Sequence, residues 1–198
     1  MRFSSVHERQ TGFTLIELLV VIAIVLILIA IALPNFLTAQ VRAKVARARA
    51  DMRTVRLVLE NYFIDFDLYP DHATDTWHPS LLEVPSLTTP IEYLNSFPPD
   101  PFPRIDADIY SDPRSFGDGG YYRYYNAGRW KSIYPELEQQ GIVWFLMSNG
   151  PDGDIDVHDN AGDIGRDLLA GKTYMYYAPT NGARSSGDFI KTNKDYVL

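Results

Sequence analysis

Between Gly12 and Pro34 the chain runs Gly-Phe-Thr-Leu-Ile-Glu-Leu-Leu-Val-Val-Ile-Ala-Ile-Val-Leu-Ile-Leu-Ile-Ala-Ile-Ala-Leu-Pro, with one carboxylate, Glu17, inside an otherwise apolar run. Phe13 to Leu33 is 21 residues. As a helix that is about 30 Å, the thickness of the hydrocarbon layer of a bilayer. A charge in hydrocarbon costs several kcal/mol unless a partner answers it. The span carries no cation, so the partner must come from elsewhere. Arg2 and Arg9 precede the span and place its start on the cytoplasmic side, with the rest of the chain beyond the membrane. A secretory signal peptide has a shorter apolar stretch and a small-residue cut site after it, and neither is found here.

The chain has 198 residues, no cysteine and a net charge of −7. Thiolate metal sites, redox motifs and disulfides are therefore excluded, and the acidity argues against a nucleic-acid binder. Pro34 follows the span and predicts a kink or local loosening. A helical pattern then resumes. Leu37, Val41, Val45, Ala48, Met52, Val55, Leu59, Tyr62 and Phe66 recur at steps of four and three, one apolar stripe over residues 35–69. The whole helix, from about Phe13 to about Asp67, would measure about 80 Å. A parallel coiled-coil stalk is the rival reading; alanines early in the stripe and aromatics late favour packing on a sheet instead. Residues 35–66 carry six basic and three acidic side chains, and residues 67–198 carry ten basic and twenty acidic. A basic stem and an acidic head favour staggered packing between copies.

Residues 70–120 are proline-rich and loop-like, with short helices expected near Pro79–Pro85 and Pro90–Leu94. Tyr121–Asn126, Ile142–Ser148 and Thr173–Ala178 read as strands. The expected fold is α+β: a long amino-terminal helix, half membrane span and half amphipathic, packed on a small antiparallel sheet. The tyrosines are expected to fill half-buried strand faces rather than to stack on carbohydrate.

Between the second and third of these strands lies an acidic loop, residues 148–163, with five aspartates in its last twelve positions. Asp152, Asp154, Asp156 and Asp159 stand close enough to converge oxygens on a hard cation, Ca²⁺, with the backbone of Ser148 or Asn149 as further donors. It is no EF-hand: Val157 replaces the turn glycine, and Asp163 stands where a bidentate glutamate belongs. His158 lacks a second ligand of its kind nearby, and His7, His72 and His78 are scattered. No nucleophile, phosphate-loop, zinc-protease or dinucleotide motif appears, so no catalytic residue is assigned and the chain does not read as an enzyme.

The leader 1–12, the Gly12-Phe13 junction and Phe-Thr-Leu-Ile-Glu resemble the class III signal peptides of type IV pilins and type II secretion pseudopilins. Residues 87–102, ending Asp-Pro-Phe, and Ser-x-Gly-Pro-Asp-Gly at 148–153 resemble the G-type (major) pseudopilins. The resemblance implies a type IV pilin-like fold and cleavage between Gly12 and Phe13 by prepilin peptidase. It implies N-methylation of Phe13 and an assembly role for Glu17, beside Thr14, against the Phe13 amine of a neighbouring copy. It implies a calcium loop in which Asp152 matches well and the later aspartates match loosely. The implied protein sits in the inner membrane in a single pass, amino terminus cytoplasmic and head periplasmic. There it would assemble with itself, with minor pseudopilins and with an inner-membrane assembly platform into a periplasmic filament that drives protein export. A type IV pilus subunit (adhesion, motility or DNA uptake) and a monomeric membrane-anchored calcium-binding module are the alternatives.

Overall fold

A computed structural model describes residues 13–71, 81, 84–102, 120–130, 137, 141–153, 177, 187 and 189–194. Helix α1 runs over Leu15–Phe66 and is continuous through Pro34. Its start is set by Thr14. The Thr14 hydroxyl oxygen accepts from the Glu17 backbone N–H at 3.3 Å, and the Glu17 carboxylate accepts from the Thr14 N–H at 2.8 Å. This is the reciprocal capping box of a Thr-x-x-Glu start. Proline cannot donate to the carbonyl four residues back. Around that gap, the Asn35 amide donates to the Ile31 carbonyl at 3.4 Å and the Thr38 hydroxyl to the Pro34 carbonyl at 3.0 Å. The helix ends at Phe66. Asp67 takes a left-handed conformation (φ 55°), its N–H returns to the Phe63 carbonyl, and Pro70 follows.

The chain divides into two compact units, one reaching to Ala39 and the other beginning at Gln40. In the first, α1 is apolar on all sides. Its most apolar eighteen-residue window has a mean hydropathy of 3.4, and none of it is buried. It is the helix among the described residues that is long and apolar enough to cross a membrane.

In the second unit α1 is amphipathic. Val45, Ala48, Met52, Val55, Val58 and Leu59 are buried, and Val41 and Tyr62 pack at their margin. The stripe expected from the sequence is thus the buried face at its centre. Its two ends are not: Leu37 and Phe66 are exposed.

Opposite the helix lies a three-stranded antiparallel sheet of β1 (Arg123–Asn126), β2 (Trp144–Ser148) and β3 (Phe189–Thr192), in that spatial order. Arg123 pairs with Met147, and Ser148 with Phe189. Alternation along the strands sends Tyr124, Trp144, Leu146 and Phe189 into the core shared with α1. Tyr125 and Phe145 stack on one another, ring centroids 4.6 Å apart.

One expectation requires correction, and two lie mostly outside the described residues. The strand that pairs with β2 on the side away from β1 is Phe189–Thr192; of the expected strand Thr173–Ala178 only Tyr177 lies among the described residues, buried and outside any strand. Residues 90–94 form no helix. The N–H groups of both Tyr93 and Leu94 fold back onto the Leu87 carbonyl, which closes an irregular loop. Of the helix expected near Pro79–Pro85, Leu81 is in a 3₁₀ turn and residues 79, 80, 82 and 83 lie outside the described residues; a 3₁₀ turn also forms at Pro85–Leu87.

Tyrosine hydroxyls complete the packing. Tyr124 donates to the Pro70 carbonyl at 2.9 Å, Tyr122 to Asp51 at 3.2 Å and Tyr69 to Glu60 at 3.0 Å. Tyr122, Tyr124 and Tyr125 are completely buried. They fill the sheet and present no face to a sugar.

Candidate functional site

Two places bear chemistry. The first is the start of α1. Phe13 is exposed, and Thr14 and Glu17 are joined by the capping box and by a 2.8 Å hydrogen bond from the Thr14 hydroxyl to the Glu17 carboxylate. From the sequence alone, a cation is the expected partner of Glu17. The structure supplies two donors from Thr14, three residues away, and so holds the carboxylate at the helix's first turn. The positive end of the helix dipole favours an anion there. The signal was legible, because Thr-x-x-Glu ahead of an apolar run is a capping-box pattern. Gly12 lies outside the described residues.

The second is the turn leaving β2. Ser148, Asn149, Gly150 and Gly153 are buried. Gly150 has φ 73°, and a Cβ placed on it would lie 2.3 Å from the Gly187 carbonyl oxygen, so only glycine fits. The Gly153 N–H closes the turn on the Gly150 carbonyl at 3.2 Å. The Oδ1 atom of Asp152 is buried within this turn. Asp154, Asp156 and Asp159 lie outside the described residues.

Beneath the turn sits a polar cluster that sequence reasoning missed. The bridge between Pro99 and Tyr121 and the bond from the Asp100 N–H to the Gly120 carbonyl bring Asp100 alongside the sheet. Asp100 is 7% exposed. Its Oδ1 accepts from the Ser148 hydroxyl at 2.8 Å and from the Phe102 N–H at 2.9 Å. Burial pushes its carboxyl up to about 6, against the pull of these donors and of Arg123. Arg123, 2% exposed, donates to the Asn149 side-chain oxygen at 2.5 Å. The Asp-Pro-Phe string at 100–102 was the available signal, read only as a likeness.

Comparison with known proteins bears on both places. Residues 8–33 match the prokaryotic N-terminal methylation motif. The type IV major pilin protein PilA of Myxococcus xanthus is 41% identical over 75 residues, 38% of this chain and 34% of that pilin. The chain thus spans about a third of that protein's length. The type II secretion system core protein G of Pseudomonas aeruginosa is 28% identical over 160 residues, covering 80% of this chain and 96% of that protein. No solved structure matches. The core protein G of Dickeya chrysanthemi is 30% identical over 159 residues, covering 79% of this chain and 88% of its own length. With the methylation motif at its head and a core protein G aligned along most of its length, the chain belongs to the family of type II secretion system core protein G.

Proposed function

We propose that the chain is the structural subunit of a type II secretion pseudopilus. The observation that carries this reading is the likeness to core protein G over four-fifths of the chain, joined to an amino-terminal helix that is apolar on all sides and uncovered. The subunit waits in the inner membrane with its head in the periplasm, and prepilin peptidase trims it between Gly12 and Phe13. The new Phe13 amine is methylated. Minor pseudopilins and an inner-membrane platform then help to draw copies into a helical filament that pushes cargo outward. The work is mechanical rather than catalytic.

Chemistry supports the assembly step. An apolar helix in lipid gains nothing by leaving unless identical helices replace the lipid around it. A charge drawn into that bundle needs a partner, and the freed amine of another copy is one. The match to a pilin over 75 residues keeps a second reading, a type IV pilus subunit. Mass spectrometry of the protein from its native membrane tests the shared core of both readings. The expected species begins at methyl-Phe13; an intact Met1 would defeat it. Deleting the gene separates the two: loss of secreted proteins from the medium supports the pseudopilus, and loss of surface fibres supports the pilus.

Calcium at the turn after β2 is part of the same proposal: among the described residues the turn offers one carboxylate, Asp152, and hard oxygens are the donors that ion takes. Asp152 would hold the ion with Asp154, Asp156 and Asp159 and with backbone oxygen of Ser148 or Asn149. The bound ion would neutralise the mutual repulsion of the aspartates and stiffen the head for assembly.

A further inference from the structure

Charge changes sign once along the second half of α1 and the segment that follows it. Residues 40–56 carry six basic side chains and one acidic, whereas residues 57–103 carry eight acidic ones and no lysine or arginine. Both stretches belong to the unit that begins at Gln40. Arg42, Lys44, Arg47, Arg49 and Arg53 are exposed and form a basic belt. Asp65, Asp67 and Glu92 are exposed and form an acidic pole about the end of α1. Glu92 is held there by its neighbour Tyr93, whose hydroxyl donates to Asp65 and whose ring meets that of Tyr62, centroids 5.6 Å apart.

Shape changes along with charge. At 3.6 residues per turn, Ala43, Ala46, Ala50, Leu57 and Ile64 share the face of α1 opposite its buried one, and all five are exposed. Within the belt this face is a floor of alanines, flanked by Arg42, Arg49 and Arg53 on one side and by Arg47 on the other. At the pole the exposed side chains are bulky. Ile64 is 77% exposed, and Leu68 and Ile91 are exposed too, each next in sequence to one of the three acids. Large apolar groups rimmed by charge mark an interaction surface. One copy cannot bring its own pole to its own belt. α1 is continuous, and from Arg53 to Asp65 it rises about 18 Å, twice the distance over which salt screens a surface charge.

We propose that the acidic pole of one copy docks on the basic belt of a second copy, with Ile64 seated on the alanine floor and the acids against the flanking arginines. This rests on the filament reading given above and names the surfaces that would join its subunits. The two patches differ, so the contact is head-to-tail and propagates into an open row of copies rather than closing a dimer. Belt against belt, or pole against pole, sets like charges together and is disfavoured, which fixes the register. Bringing Asp65 to the stretch Arg42–Arg53 shifts the second copy along α1 by about 18–35 Å. Meeting Glu17 with the Phe13 amine of another copy needs a shift of four residues, about 6 Å. The pole–belt contact therefore joins a different pair of copies.

The test uses the full-length chain expressed in its native host, with filaments sedimented from the membranes. The chain has no cysteine, so an introduced pair reports without background. Ala46 and Ile64 stand about 27 Å apart along one helix, and a disulfide needs Cα atoms within about 7 Å. Ala46→Cys with Ile64→Cys can thus bridge only between copies. Oxidation should give a ladder of covalent oligomers, with neither single variant passing beyond a dimer. Filaments that yield no ladder overturn the proposal. Arg53→Glu and Glu92→Lys should each lower filament yield about tenfold, and the two together should restore most of it, because the exchanged charges attract again. A double variant no better than the single ones overturns the contact. Loss with Arg53→Glu but not with Glu92→Lys shows that the belt answers another anion, such as phospholipid, and overturns it as well. A wild-type chain that forms no filament ends the filament reading and this proposal together. Filaments that neither cross-link nor respond to the charge changes end this proposal alone.

Discussion

Asp51, Glu60 and Asp65 are the three acids of the amphipathic half of α1, and each is engaged by a tyrosine of the head: Tyr122 on Asp51, Tyr69 on Glu60 and Tyr93 on Asp65. Asp51 is also 3.6 Å from Arg47. These bonds use a neutral phenol as donor, so ionising the phenol would place two anions together. Tyr93 shows the consequence. The Asp65 hydrogen bond, then desolvation and the Asp65 charge, push its phenol from the ordinary 10 up to about 12. The folded chain therefore holds this proton more tightly than the unfolded chain does. The stabilisation is complete below about pH 10 and is lost as pH rises toward about 12. Asp65→Asn should return the Tyr93 titration toward 10 and move alkaline unfolding to lower pH. Ultraviolet absorbance of tyrosinate against pH measures both. An unchanged Tyr93 transition would show that Asp65 is not its cause.

At the scale of elements, the second half of α1 separates buried from exposed positions sharply. Leu59 is completely buried and Leu57, two residues earlier, is 65% exposed. Leu59→Ala should cost about 2–5 kcal/mol, by lost burial and a cavity. Leu57→Ala should stay within about 0.5 kcal/mol. Thermal melts of the two variants check the difference, and equal melting temperatures would refute the packing described. This half of the helix was legible because its period of about 3.6 is local information. β1 and β2 were legible because they are dense in aromatic and branched residues. β3 was not. Phe189–Thr192 has four residues, one of them a lysine, and only its register against β2 makes it a strand. Thr173–Ala178 has the stronger local pattern, and all of it but Tyr177 lies outside the described residues; strand choice depends on partners distant in sequence. The Asp100 cluster was hidden for the same reason, since 48 residues separate Asp100 from Ser148. The capping box was written locally at Thr14 and Glu17. It was passed over because a cation was sought for Glu17, and the donors that Thr14 supplies are hydrogen-bond donors.

At the scale of the whole molecule, the amphipathic half of α1 is net basic, with six basic against three acidic side chains, and a phenol donating to an acid does not change that charge. Arg42, Lys44, Arg47, Arg49 and Arg53 are exposed, while Lys44 and Arg49 also lie over head aromatics, Lys44 at 6.0 Å from the Phe102 ring and Arg49 at 5.9 Å from those of Tyr177 and Phe189. Such a surface suits the acidic head of another copy. In the function proposed above, assembly would turn on Glu17, which caps its helix within the subunit and would take a second role between subunits. Within the subunit it caps α1 with Thr14, which is worth about 1 kcal/mol. Between subunits, on that proposal, it would answer an amine that otherwise stands unpaired among apolar helices, at a cost of several kcal/mol. The two roles predict different mutants. Thr14→Ala loses the hydroxyl but keeps the carboxylate, and should reduce filament yield by less than about tenfold. Glu17→Ala loses both roles and should reduce filament yield by more than about tenfold, with cleavage at Gly12 largely intact. Sedimented filaments against total processed subunit, from membranes of cells expressing each variant, provide the measurement. If Thr14→Ala is as damaging as Glu17→Ala, the helix cap is the whole of the effect. If Glu17→Ala assembles like wild type, the carboxylate plays no part in joining copies, and the cation that it was inferred to meet must be neutralised by some other group.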